Sequence, residues 1–376
     1  MLKLRAPIQM APHSGLLDTQ AGTQWPPLRI AMVVPPWYEV PPPGYGGIEH
    51  VCAALTDALV ARGHDVTLFG VGRGGTSARF VNTIGEPQYP RLGQTLPELM
   101  HAARTNQLID PDSYDIVHDH TLAGLLSATI RRVPTVTTVH GCPDGELGYF
   151  LENVDRAVGM IAISHSQRRV RTDLPWLATV HHGLPAARAV RPAPGSGPVL
   201  WLARFTPDKG ADLAIQACRA ANLPLVLAGK CNEPSERKYL TEVVTPMLGP
   251  DVDLVVNPNR DRCRDLLWDA RCLLMPIRWE EPFGLVMLES MAVGTPVVAL
   301  NRGAVPEVVQ HGMSGFICAD PTELPDALVE ASKLDPGTCA DHVRLSFSAD
   351  LMAHRYERIY RKWATIRLSS AARLRS

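Results

Sequence analysis

The chain lacks any apolar run near the ~18 residues that a membrane-spanning helix needs, so no span of that kind is expected. It also lacks net charge, since 37 Lys and Arg against 38 Asp and Glu leave −1. No basic field marks a nucleic-acid partner and no basic face marks a membrane surface, although peripheral membrane contact stays open. There is no Cys-x-x-Cys. The eight cysteines, at 52, 142, 218, 231, 263, 272, 318 and 339, are scattered. They read as small buried hydrophobes in a reducing cytosol, not as disulfides or a metal site. Residues 1–26 lack the continuous apolar core of a signal peptide and have no period. They read as a disordered extension, or as a start codon placed too far upstream, of a cytoplasmic protein. With no long-range field available, any anionic ligand must be held by a few placed cations.

What is present is alternation. At 376 residues the chain is too long for one ordinary core, so two domains are expected. From residue 28, short β-branched runs alternate with helical patterns: LRIAMVV (28–34), the amphipathic 48–63, DVTLFGV (65–71), DIVHDH (115–120), TVTTVHG (135–141) and GMIAISH (159–165). This order indicates a parallel α/β sheet. RPAPGSGP (191–198) interrupts it and reads as a linker. The alternation then restarts with strands at 198–205, 223–230, 252–257, 272–277, 295–300 and 314–320. Helices are expected from Asp208, near 235–247, at 261–270, after Phe283, and over 351–366. Two doubly wound domains, 27–190 and 199–348, would face each other across a cleft at the carboxyl ends of their strands, where such folds bind ligands.

Several short stretches fall at that cleft. PPPGYGGIEH (41–50) joins the first strand to the first helix, and its glycines let backbone approach an anion. Glu49 stands where the dinucleotide fingerprint needs its third glycine, which counts against an NAD enzyme. Arg204 and Lys209 in LARFTPDKG lie at a strand's carboxyl end beside a helix start, and suit a diphosphate. In WEEPFGLVMLESMAVGTPVVAL (279–300), Glu281 precedes a helix whose first turn holds Gly284 and Leu285, with Glu289 one turn on. Acceptor-only carboxylates there suit hydroxyls of a sugar or ribose. A glycosidase would also use two carboxylates, but has no place for cations at 204 and 209. His140 ends a strand before a loop and should point into the cleft. His118-Asp119-His120 contains metal-binding residue types, but neighbours on a strand face opposite sides, and no metal centre is expected there. Trp37 and Tyr38, on the first loop, serve equally well as a stacking platform or as loop packing.

Taken together, these residues resemble the retaining glycosyltransferases of family 4, from about residue 28 to the end of the last helix. Gly46, Gly47 and Glu49 are similar to the family's G-G-x-E acceptor-side loop, Arg204 and Lys209 to its R-x4-K-G segment, and Glu281 and Glu289 to its E-x7-E signature. RGAVPEVVQHGMSGF (302–316) resembles the segment that follows. The long forms MPIRWEEPFGLVMLESMAVGTPVV and PPWYEVPPPGYGG most resemble the subgroup of avilamycin-pathway and UDP-glucose:tetrahydrobiopterin enzymes. The resemblance implies a GT-B fold, with the last helix (350–366) completing the N-terminal domain. It also implies metal-independent, cofactor-free transfer of a hexose, most simply from UDP-glucose, by front-side attack. Arg204 and Lys209 would hold the diphosphate, and Phe283, Gly284 and Leu285 would present backbone to sugar and phosphate. Glu281 would bind sugar hydroxyls, Glu289 the ribose, and His140 would sit beside sugar and acceptor. A GDP-mannose-dependent mannosyltransferase and a non-catalytic nucleotide-sugar-binding protein are the rival readings. Two departures from the family are His182-Gly183, where Asn-Gly is common, and Asn257, where a glycine often follows the strand.

Overall fold

A computed structural model describes residues 26–44, 46–187 and 189–373, with side chains to Ile366. Residues 1–25 of the expected extension lie outside the described residues. The N-terminal half contains β1 (Arg29–Val33), β2 (Asp65–Gly70), β3 (Arg79–Asn82), β4 (Ile116–Asp119), β5 (Thr135–Val139), β6 (Val158–Ala162) and β7 (Trp176–Thr179). These form one parallel sheet in the order β3-β2-β1-β4-β5-β6-β7. The C-terminal half contains β8 (Val199–Leu202), β9 (Leu225–Gly229), β10 (Val252–Val256), β11 (Leu273–Met275), β12 (Val297–Leu300) and β13 (Gly315–Cys318). Their order is β10-β9-β8-β11-β12-β13, again parallel. The protein is therefore two parallel-sheet α/β domains of the doubly wound kind. In each the order reverses beside the first strand, and the crevice there is where ligands settle.

Helices α1 (Gly47–Ala61), α2 (Thr95–Leu108), α3 (Gly145–Glu152) and α4 (His165–Val170) pack on the first sheet. Helices α5 (Ala211–Ala220), α6 (Pro234–Tyr239), α7 (Arg260–Asp269), α8 (Leu285–Ala292), α9 (Val305–Val308), α10 (Leu324–Ala331) and α11 (Pro336–Ser346) belong to the second. The last helix, α12 (Ala349–Arg373), returns to the first. Its Tyr356 and Tyr360 are buried with β1 and β4 residues, and the Trp363 indole donates to the Thr135 carbonyl at 2.9 Å. None of the described helices is long and apolar enough to cross a membrane.

Two helices differ from expectation. Where a helix is expected from Asp208, a 3₁₀ turn (Pro207–Lys209) intervenes and α5 begins only at Ala211. Gly210 between them is left-handed (φ 71°), and a Cβ there would stand 2.2 Å from the Pro276 carbonyl oxygen. The helix expected near 235–247 holds α form only to Tyr239. It widens to a π turn (Leu240–Val244) and closes as a 3₁₀ turn, because Pro246 has no N–H to continue the ladder.

The chain crosses between halves twice, and the two crossings are tied together. Leu184 N–H donates to Phe347 O and Ala349 N–H donates to Leu184 O, both at 2.8 Å. Gly183 is required there, since a Cβ would meet the Ser348 carbonyl at 2.4 Å. The segment read as a linker is docked. Arg191 is buried and donates to the carbonyls of Gly294 and Ala270.

Candidate active site

Between the two sheets lies a cavity of about 340 Å³. The N-terminal half lines it with Gly47, Ile48, His140, Ile163 and His182. The C-terminal half lines it with the carboxyl end of β8 (Trp201–Arg204), Lys209, the end of β11, and the loop into α8. Of the residues expected from sequence, Gly47, His140, Arg204, Lys209, Glu281, Phe283, Gly284 and Leu285 meet here. Gly46, Glu49 and Glu289 do not line the cavity. Gly46 is the N-cap of α1, and Glu49 is buried within that helix's first turn. Burial pushes the Glu49 carboxyl up to about 7. Glu289 is exposed on α8. Protein nevertheless flanks it on most sides, and this crowding pushes its carboxyl up to about 6 against the pull of Arg260.

The centre of the site is an ion pair. Lys209 Nζ stands 2.5 Å from Glu281 Oε2, with both side chains largely shielded. The Trp279 indole donates to the same oxygen at 3.1 Å, and Lys209 Nζ lies 4.4 Å above the Trp279 ring. The pair is positioned from below. The Arg278 guanidinium holds Asp212 at 2.6 and 2.8 Å and the Pro207 carbonyl at 2.8 Å, and the Trp201 indole donates to Lys209 O at 2.9 Å. These bonds fix the turn that carries Lys209. The loop that carries Glu281 is pinned from the other side, where Gly303 N–H donates to Glu280 Oε2 at 2.6 Å and Ala304 N–H donates to Glu281 O at 2.8 Å. A Cβ on Gly303 would meet that same carbonyl at 2.2 Å, which gives the Arg302-Gly303-Ala304 segment its reason. Arg204 is more open and stands 3.8 Å from the buried Glu236.

Gly284 caps α8 in a left-handed conformation (φ 81°), and the helix's first residues, Leu285 and Val286, line the same cavity as the ion pair. Phe283 is buried. Its ring packs 4.8 Å from His182 and 6.3 Å from Phe347, across the crossing between halves. His140 is half-buried and stacks on His182 at 5.4 Å. Desolvation lowers its imidazole to about 4, and His182 goes well below its ordinary range for the same reason. Both rings are therefore neutral at ordinary pH.

The histidine expectation needs correction. Alternation along β4 does send Asp119 to the opposite side, but His118 and His120, two residues apart, share one face with ring centroids at 3.9 Å. His182 is a site residue that the sequence reading did not assign to the cleft. Its departure from Asn-Gly was the available signal. The other departure is conservative in shape, since Asn257 is itself left-handed (φ 54°), a conformation asparagine tolerates. Tyr38 stacks on Tyr89 at 5.9 Å, so it packs the loop.

Two α/β domains thus share a cleft lined by a cation–carboxylate pair and the first turn of α8, groups chemically suited to an anionic, hydroxyl-bearing ligand. Comparison with known proteins narrows this. Residues 45–170 match the family described as Glycosyltransferase Family 4, and residues 188–334 match Glycosyl transferases group 1. Each half of the chain thus matches a glycosyltransferase domain family. An uncharacterized glycosyltransferase of Methanocaldococcus jannaschii is 24% identical over 77% of this chain and 84% of its own length. A glycosyltransferase involved in avilamycin A biosynthesis superposes with TM-score 0.67 at 25% identity, covering 90% of this chain and 98% of its own. An Anabaena protein in complex with UDP-glucose superposes with TM-score 0.66 at 18% identity, covering 90% of this chain and 100% of its own. The architecture is that of GT-B glycosyltransferases.

Proposed function

We propose that the protein is a retaining glycosyltransferase that moves a hexose from a nucleotide sugar to a hydroxyl of a small-molecule or glycan acceptor, without a metal. The observation that carries this is the Lys209–Glu281 pair set against the open N-terminus of α8. The ammonium and the helix N–H groups suit the donor diphosphate, with Arg204 at its rim. The Glu281 carboxylate, held by Trp279, suits the sugar hydroxyls. The donor's bond from C1 to phosphate oxygen breaks while the acceptor oxygen bonds C1 on the same face. The acceptor proton passes to the departing phosphate. Neutral His140 borders sugar and acceptor as a hydrogen-bonding wall. Gly46, Gly47 and Glu49 shape the acceptor-side loop. The boundary between acceptor and donor halves is placed at 191–198. UDP-glucose is the donor favoured, in keeping with the Anabaena complex.

A thermal-shift panel of nucleotide sugars tests the reading. A cognate donor stabilises by about 2.7 kcal/mol at a hundredfold excess over its Kd. UDP-glucose should shift the transition and release α-glucose on slow hydrolysis. A response to GDP-sugars alone, or β-glucose as first product, rejects it.

Transfer is expected to survive EDTA, since cations rather than a D-x-D pair stand beside the diphosphate position. Loss of activity restored by magnesium or manganese would reject that. Glu289→Ala should weaken UDP binding more than Glu281→Ala, because UDP contains the ribose but not the hexose. Equal losses by calorimetry would overturn the assignment.

A further inference from the structure

We infer that Cys52, His120 and His140 form a binding site for one soft divalent cation of the zinc class. One ligand atom from each residue lies within 4.8 Å of the others. Zinc–sulfur and zinc–nitrogen bonds of about 2.3 and 2.0 Å keep neighbouring donors of a tetrahedral ion roughly 3.3–3.8 Å apart. A small inward rotation closes the set. The second carboxylate–histidine cluster, His165, His181 and Glu307, is less suited. There both Glu307 oxygens are already taken, by His165 N–H and His181 Nε2 at 2.8 Å and Ser166 N–H at 2.6 Å.

The tautomers favour the first cluster. His120 Nε2 stands 3.2 Å from Met32 Sδ, a weak acceptor and no donor, so the His120 proton sits on Nε2. His120 Nδ1 is then a lone pair, and receives His140 Nε2–H at 2.9 Å. His118 packs on the His120 ring and is itself held by Tyr360 and Thr138, so the ring cannot swing away. A cation entering from the cleft, which His140 lines, replaces the shared proton between the two imidazoles. His140 shifts its N–H to Nδ1, Cys52 releases its thiol proton to solvent, and the cleft side keeps a fourth position for water. Because His140 is shared with the cleft, occupancy slows transfer, a consequence that rests on the function proposed above.

The test is cobalt(II) titration of the full chain after chelator treatment, followed by absorption. A thiolate-to-cobalt band saturating at one ion per chain, displaced by zinc, is expected in wild type. The band should be absent in Cys52→Ser, and apparent affinity should fall at least ~tenfold in His120→Asn, about 1.4 kcal/mol. The second variant carries the test if the first does not fold. Zinc should slow UDP-glucose turnover in wild type and spare Cys52→Ser. No thiolate band in wild type, or an unchanged band in Cys52→Ser, overturns the site. The half-buried Cys142 and Cys263 would produce the latter result. A cobalt band in a protein without UDP-glucose turnover would reject the functional reading and not the site.

Discussion

Lys209→Ala is expected to lower kcat/KM for sugar transfer at least ~tenfold, corresponding to about 1.4 kcal/mol. Lys209 is one half of a shielded pair at 2.5 Å, and its removal leaves the Glu281 carboxylate with the Trp279 indole as its remaining side-chain partner. A charge-assisted bond of this kind is typically worth ~1.5–3 kcal/mol. The departing diphosphate gains charge as the C1–oxygen bond breaks, so the ammonium is worth more in the transition state than in the ground state. The loss should therefore fall on kcat as well as on donor affinity. Arg204→Ala should act in the same direction, as the second cation at the rim. With a net charge of −1, no general field substitutes for either. The fold should persist, since the turn is held by Arg278 and Trp201 through backbone and Asp212, not through the ammonium. Wild-type turnover in both variants would reduce the two cations to solvated surface and remove the diphosphate site.

Asp119→Ala is expected to destabilise the N-terminal half by about 3–5 kcal/mol, with no direct effect on the cleft. Asp119 and Arg131 form an ion pair at 2.8 Å with both side chains fully buried. The carboxylate also accepts from Thr121 N–H at 3.0 Å and its hydroxyl at 2.7 Å, while the guanidinium donates to Gly124 O at 2.5 Å. The pair thus ties the end of β4 to the 3₁₀ segment Ala123–Ser127. Truncating the acid strands a buried cation, which costs more than the pair contributes when intact. Arg131→Met should destabilise as well, and the double variant by less than the sum, because the stranded charge is gone. Urea unfolding followed domain by domain reads this. A loss under about 1 kcal/mol in Asp119→Ala would mean that water reaches the pair and solvates the stranded charge.

Asp119 also shows where sequence reading stops. As part of His-Asp-His it drew notice as chemistry, and it proves to be a support. Alternation on a strand separates it from the histidines, but only folding supplies Arg131 as its partner. His140 was legible as a cleft residue because it ends a strand. That it meets His120, just past the end of β4, and Cys52 from α1 was not, because no local pattern encodes which strands become neighbours.

The order of β-branched runs and helices determined two parallel sheets, since parallel strands need helical crossovers and buried strands need continuous apolar runs. The spacing of Arg204, Lys209 and Glu281 placed the proposed donor-side residues beside strand and helix ends, with Glu289 inside α8. Both are local statements, carried by periodicity and by turn residues such as Gly284. The tertiary structure alone decided that Lys209 pairs with Glu281, that Glu289 stays off the cavity lining, and that Phe283 and His182 pack together where the chain crosses between halves. Those contacts join residues far apart in the chain. They depend on how two sheets face each other, and a one-dimensional pattern has no term for that.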